Sequence, residues 1–387
     1  MANGIAVEQI ESGQSGSAGA YGVWLKMAAL GLMCLGVVMI YSAGSRVDRE
    51  PQWFMRLSDP ASKQLMFAMV AFVVLLFMAD MDYGRFRYGG SVVRWPGTYL
   101  LLAAVLLLGL VYVPVVGQEV NGARRWIRLG PVTFQPSEFA KYVLVVFLAG
   151  VLAHARYPRR KFLIGLLPLC AAIGLLCGLV VVEDLGTAAL MALVAAMLLV
   201  AGGARLWQML ILALPGVAGF VYMVIKTPYR VERITSFMDI WKDPQGSGYH
   251  AIQSLVAIGN GSWWGVGLGK GIQKYGFLPE DTTDFIFSII CEEVGLAGAL
   301  LVMGLIAAIV WSGLAVYRRC GDDFGKLLTF GVVATIGLQA AINIAVATVS
   351  VPTKGIALPF VSAGGSGLIV AAAALGLVCS VAQKPKT

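Results

Sequence analysis

Ten apolar runs, each long enough to cross a bilayer, leave this chain almost no choice of fold. They lie at roughly 22–43, 62–80, 96–116, 137–155, 162–182, 185–202, 206–225, 284–316, 325–349 and 364–382. A membrane-spanning helix needs about 17–25 predominantly apolar residues. In hydrocarbon every backbone N–H and C=O must find its partner inside the chain, so runs of this length are helices. Only 13% of the 387 residues are charged and 58% are hydrophobic, whereas soluble domains carry about 25% charged residues. The expected fold class is therefore an all-α integral membrane protein. It is a ten-transmembrane-helix bundle with a large extracytoplasmic loop, 226–283, between helices 7 and 8. Residues 1–21, rich in Gly, Ser and Ala, read as a disordered cytoplasmic tail. They lack a basic n-region, so the first run reads as a retained anchor. Residues 22–382 form one transmembrane domain, and 383–387 a cytoplasmic tail.

The basic residues orient the bundle. With the N-terminus inside, the inner loops hold Arg85, Arg87, Arg94, Arg156, Arg159, Arg160, Lys161, Arg205, Arg318, Arg319, Lys326, Lys384 and Lys386. The short outer loops hold Arg46, Arg49, Arg56, Lys63, Arg124, Arg125, Arg128 and Lys354. That bias puts both termini in the cytoplasm. The net charge of +8 is spread over these short loops, which excludes a nucleic-acid reading. Arg124, Arg125 and Arg128 run against the orientation rule, so their charge suggests a use. Six cysteines and two histidines, His154 and His250, show no metal-ligand spacing, and no cysteine falls in an outer loop.

Five carboxylates crowd one stretch, Phe277–Gly295: Glu280, Asp281, Asp284, Glu292 and Glu293. A carboxylate in or beside hydrocarbon is costly and asks for a partner or a task. Asp284 follows Thr282-Thr283 at the head of the eighth run. One reading is a charge that complements the positive end of the helix. The other is a general base at the outer membrane surface, its pKa raised by apolar surroundings. Glu280 and Asp281 read as solvated loop acids. Glu292 lies deeper on the Asp284 side, and Glu293 points nearly opposite; both read as structural charges inside the bundle.

Further polar signatures punctuate the chain. Asn121–Gly130 groups Arg124, Arg125 and Arg128 with Trp126, which suits phosphate recognition or lipid headgroups equally. In Gln135–Lys141, Glu138 and Lys141 are one turn apart; Lys141 can pair with Glu138 or, across helices, with Asp184. With Glu292 these make an intramembrane polar set. The outer loop carries a glycine series from Gly259 to Gly271, and 248–258 reads as a short amphipathic helix with Ile252, Leu255 and Val256 on its apolar side. Pro352–Ser366 holds too much Pro and Gly for regular helix and reads as a structured outer or re-entrant turn. Its one charge, Lys354, is either solvated or placed to meet a phosphate.

Taken together, these segments resemble the SEDS family (shape, elongation, division and sporulation proteins) from about residue 22 to 382. The matching marks are Lys63-Gln64, Asn121–Gly130, Gln135–Lys141, Asp184–Thr187, Tyr249–Gly269, Leu278–Phe287 with Glu292-Glu293, and Pro352–Ser366. The resemblance implies a peptidoglycan glycosyltransferase of the bacterial cytoplasmic (inner) membrane. It would polymerise lipid II on the outer face, with an undecaprenyl-diphosphate-linked glycan strand as donor. It implies that Asp284 is the catalytic carboxylate. Diphosphate or sugar would be met by Arg124, Arg125, Arg128, Arg230, Arg233, Lys354 and Ser366. A divalent cation, magnesium or manganese, can share the leaving-group charge, though no metal ligands stand out. A class B penicillin-binding transpeptidase and other division proteins are the implied partners. Pro352-Thr-Lys-Gly355 looks like the division and sporulation branches more than the elongation branch. Departures from the family pattern are Glu183 where Pro is common, Ala363 for Tyr, Gly367 for Ser and His250 for Gln. The alternatives are an elongation-type glycosyltransferase, a lipid II flippase and a non-catalytic division scaffold.

Overall fold

The structure is a computed structural model, and it describes residues 2–44, 60–120, 122–130 and 132–383. Arg46, Arg49, Arg56, Lys384 and Lys386, which carry part of the orientation argument, lie outside the described residues, as does Asn121.

Every expected apolar run carries a helix. In chain order the helices are α1 (Ala2–Gly44), α2 (Pro60–Asp80), α3 (Pro96–Leu110), α4 (Pro136–Ala153), α5 (Leu167–Val181), α6 (Leu185–Ala201), α7 (Leu206–Ile225), α8 (Pro228–Met238), α9 (Tyr249–Gly261), α10 (Ile286–Arg319), α11 (Asp323–Ala347) and α12 (Gly365–Gln383). Eight are long and apolar enough to cross a membrane: α1 from Gly19, α2, α4, α5 with its leading π-turn, α7, α10, α11 and α12. The helices α3 and α6 are apolar but shorter. Pro96, Pro136 and Pro228 each open a helix, where the missing N–H costs nothing. Asp184 caps α6 by accepting from the Thr187 amide at 3.0 Å, and Asp322 caps α11 through Gly325.

Three expectations need correction. The backbone of α1 is helical from Ala2, through the stretch read as a disordered tail; once a span is nucleated, each further residue adds a hydrogen bond. The third run stops being helix at Leu110, short of residue 116. The chain is also not all-α. Gly117–Val120 (β1), Ala123–Leu129 (β2) and Val132–Phe134 (β3) form an antiparallel sheet in the order β1-β2-β3. Gly122 and Gly130 turn between the strands at φ +74° and +64°, which favours glycine.

The core is centred on α4, α11 and α12, whose residues Leu144, Leu148, Leu328, Ile336, Leu375 and Val378 are all but inaccessible. The loop 226–283 is not a bare connection, because it folds into α8 and α9. Helix α9 seats on the bundle through Ser254, whose hydroxyl donates to Ala347 O and meets Ser288 Oγ at 2.7 Å. Its buried side is Ala251, Ile252, Ser254 and Ala257, while Leu255 and Val256 are exposed.

Helix α10 is broken at Gly295, with φ 73° and ψ −161°. The 262–267 segment laces into the break. Val266 and Gly267 N–H groups donate to Glu292 and Glu293 carbonyls at 2.9 and 3.0 Å, and Leu296 N–H donates to Ser262 O at 3.0 Å. These bonds satisfy backbone groups that the break would otherwise orphan. A Cβ on Gly265 would sit 2.1 Å from Glu293 O, so glycine is required there.

Candidate functional site

A cavity of about 220 Å³ opens between α8, α9, the head of α10 and the Pro352–Ser366 turn. Asp284, Glu280, Arg233, His250, Lys354 and Gly355 are among the residues lining it. Asp284 stands two residues ahead of α10, whose N-cap is Phe285. Its backbone is pinned three ways: its N–H donates to Glu280 O at 3.1 Å, its C=O accepts from Asn343 Nδ2 at 2.8 Å, and the preceding Thr283 C=O accepts from Ser362 Oγ at 2.6 Å. By contrast, no protein donor among the described residues bonds its carboxylate. Helix α10 has no side-chain cap, so neither Thr282 nor Thr283 caps it, and Asp284 stands where its charge can still complement the positive helix end. Burial pushes the Asp284 carboxyl up to about 7; the negative charges of Glu280 and Asp184 add to this, and Arg125 and Arg233 oppose it. The group is therefore held near the protonation balance that a general base needs at neutral pH.

Two cations border the same space. Arg233 lies over the Tyr229 ring at 4.4 Å and donates to Thr353 O at 3.2 Å. Lys354 sits over the Phe220 ring at 5.4 Å, and burial lowers its pKa. His250 stacks on Phe285, and burial followed by Arg233 lowers its pKa, which favours neutral imidazole.

Of the other candidate cations, Arg230, Arg125 and Arg124 have structural partners. Arg230 donates to the Val181 and Val182 carbonyls at 3.1 and 3.0 Å, closing the end of α5. Arg125 donates to Glu183 O at 2.8 Å and lies 3.9 Å from Asp184. The Arg124 amide donates to Glu183 Oε2 at 2.8 Å, and its guanidinium meets Glu119. Glu183, a departure from the family pattern, thus fastens the sheet to the α5–α6 corner. Arg128 is exposed on β2. Ser366 is buried and accepts from the Gln135 amide at 3.0 Å, so it staples α12 to the start of α4.

The intramembrane set divides into separate pieces. Lys141 pairs with Glu138 at 2.8 Å and also donates to Gln339 Oε1, which settles its choice of partner. Asp184 caps α6. Glu292 accepts from the Ile272 and Gln273 amides, so it holds the outer loop and joins neither of the others. Among the described residues no group of three or more His, Cys, Asp or Glu side chains is arranged to hold a metal ion. The cavity lining holds the cations Arg233 and Lys354 beside the carboxylates Glu232, Glu280 and Asp284. Asn343 and Gln339 were not singled out from sequence, although polar amides inside an apolar run are the signal for them.

A family model described as a cell cycle protein, and named for FtsW, RodA and SpoVE, matches residues 23–387. The chain belongs to the FtsW/RodA/SpoVE family. It is 38% identical to the probable peptidoglycan glycosyltransferase FtsW of Aliivibrio salmonicida, over 93% of this chain and 87% of that one. It is 35% identical to the stage V sporulation protein E of Bacillus subtilis, over 93% and 96%. Its fold is similar to a solved chain of a peptidoglycan synthase complex that coordinates polymerization and crosslinking, with TM-score 0.71, 28% identity and coverage of 93% and 97%. The FtsW/RodA/SpoVE membership and the apolar helices make this a multi-pass membrane protein.

Proposed function

We propose that the chain is an FtsW-type peptidoglycan glycosyltransferase that polymerises lipid II during septal wall synthesis. All ten apolar helices cross the membrane, both termini are cytoplasmic, and the Asp284 cavity faces outward. The observation that carries the reading is the Asp284 carboxylate, free of protein donors and raised to about 7, at the rim of a cavity bordered by Arg233 and Lys354. The FtsW and synthase-complex likenesses support it.

In the reaction the 4-hydroxyl of the lipid II GlcNAc gives its proton to Asp284. Its oxygen bonds to the anomeric carbon at the reducing end of the donor glycan. The bond from that carbon to the diphosphate oxygen breaks with inversion, and undecaprenyl diphosphate leaves with the bonding electron pair. Arg233 and Lys354 stabilise the charge that grows on the leaving group. The chain carries no serine transpeptidase motif, so crosslinking falls to a penicillin-binding partner.

The test uses purified protein in liposomes with labelled lipid II, with and without a cognate transpeptidase. Glycan polymer supports the reading. Lipid II crossing the bilayer with no polymer formed would support a flippase and overturn it.

A pH prediction follows from the same carboxylate. A base with its pKa raised to about 7 is protonated and idle below that pH. Polymerisation should therefore rise through an acid limb near 7 rather than near the ordinary carboxylate value of about 4. Rates across a pH series at lipid II well below KM, where kcat/KM reports the free enzyme, check this; an acid limb near 4 would contradict it.

A further inference from the structure

Three consecutive carbonyls ahead of α10 are held from across the bundle: Thr282 O by the Ala363 amide at 2.9 Å, Thr283 O by Ser362 Oγ, and Asp284 O by Asn343 Nδ2. Two of those donors belong to the Pro352–Ser366 turn itself. Asn343 is different, because it lies within the apolar helix α11 and is 1% exposed. Its amide nitrogen donates a second hydrogen bond, to Ile356 O at 2.7 Å. A side-chain amide carries two N–H donors in one plane. Both are used, so one rigid group spans the Asp284 carbonyl and the Ile356 carbonyl.

The residue before Ile356 is Gly355. A Cβ there would lie 2.9 Å from Asp284 Oδ2. The turn backbone thus abuts the carboxylate, and the neighbouring Lys354 lines the same cavity. Gln339, four residues earlier on α11, repeats the device: it donates to Ala357 O at 2.8 Å and is itself held by Lys141. One face of α11 therefore grips adjacent carbonyls of the turn, and only Asn343 also grips the Asp284 residue.

We propose that Asn343 is a positioning residue for glycosyl transfer: its bridge fixes the Asp284 carboxylate against Gly355 and Lys354 at the register an acceptor hydroxyl requires. This rests on the assignment of Asp284 as general base. Misplacement by about 1 Å is enough to cost about a hundredfold in rate.

The experiment measures kcat, KM for lipid II, pH profile and thermal unfolding for the full chain in nanodiscs. The variants are Asn343→Leu, Asn343→Gln, Gly355→Ala and Asp284→Asn. Asn343→Leu keeps the approximate shape without donors. It should lower kcat about a hundredfold with KM changed less than about threefold. Asn343→Gln keeps the donors on a longer stem and should recover part of that loss. Asn343→Leu should also move the acid limb, because the charged and titratable groups around Asp284 (Glu280, Asp184, Arg125, Arg233, His250 and Lys354) would no longer face it at the same distances. Gly355→Ala breaks no hydrogen bond but drives a methyl group onto Oδ2, so it should lower kcat without lowering the melting temperature.

Wild-type kcat and acid limb per folded Asn343→Leu molecule would overturn the proposal. If that variant fails to fold, wild-type kcat in Gly355→Ala overturns it instead. Full activity in Asp284→Asn would sink the general-base assignment and this inference with it. An inactive Asp284→Asn beside fully active Asn343 variants would sink only this inference.

Discussion

Asp284→Asn is expected to lower lipid II polymerisation by about a hundred- to ten-thousandfold, the usual contribution of a positioned general base. The amide is nearly isosteric with the carboxylate but cannot accept the acceptor's proton at neutral pH. The loss should fall on kcat, because the proton moves only as the new glycosidic bond forms. Folding should survive for a reason visible in the structure. No protein donor among the described residues bonds the carboxylate, and the anchoring bond from Asn343 goes to the backbone carbonyl, which every residue supplies. Removing a carboxyl near Glu280 and Asp184 also removes like-charge repulsion. The measurement is polymer length and rate by gel for wild type and variant at equal folded fraction. A variant that polymerises within about threefold of wild type would exclude Asp284 as the base.

The apolar helices were legible because hydrocarbon admits so few backbone solutions; every apolar run carries a helix, and eight of these are long enough to cross a membrane. The sheet was missed although its pattern is present. In Ala123–Leu129 the residues Arg124, Trp126 and Arg128 alternate with Arg125, Ile127 and Leu129 between two turn glycines, a period-two signature. Attention to the arginines as a phosphate cluster hid the strand that carries them. Which arginines stay available was not legible at all. Arg125 and Arg230 bond carbonyls at the α5–α6 corner, 58 and 48 or 49 residues away in sequence, and no local pattern encodes such a pairing. The same holds for Lys141, whose second partner Gln339 is 198 residues distant. Asp284 lay at even weight between complementing the positive helix end and catalysis by spacing alone. The family motif favoured catalysis, and the structure places Asp284 among the residues lining the cavity. Glu292 and Glu293 read as structural charges, and the partners Ile272, Gln273, Gly269 and Lys274 that their carboxylates meet lie in the outer loop, a pairing that no local pattern encodes.

That loop supplies the second large effect, on stability. Lys274→Met is expected to destabilise the protein by about 3–5 kcal/mol, the cost of leaving one member of a buried ion pair uncompensated. Lys274 and Glu293 lie 2.9 Å apart, and both side chains are 0% exposed. Glu293 also accepts from Ser42 Oγ and the Gly269 amide, and Lys274 donates to Ser42 O. The cluster therefore ties three elements together: the end of α1, the glycine-rich segment and the broken α10. Without the ammonium, a full negative charge remains in the interior with only neutral donors. Glu293→Gln should also destabilise, because the ammonium then has only neutral acceptors. The double variant Lys274→Met/Glu293→Gln should recover much of the loss, since both desolvated charges are gone; such non-additivity is expected for groups in direct contact. Arg87–Asp322 is the internal control. Its ions are 3.2 Å apart, but the arginine side chain is 52% exposed, so breaking it through Arg87→Met should cost about 1 kcal/mol or less. Thermal unfolding of the four variants in one detergent ranks them. A Lys274→Met melting temperature no lower than that of Arg87→Met would show that water or another group already solvates Glu293. The pair would then not be what seats the glycine-rich segment in the α10 break.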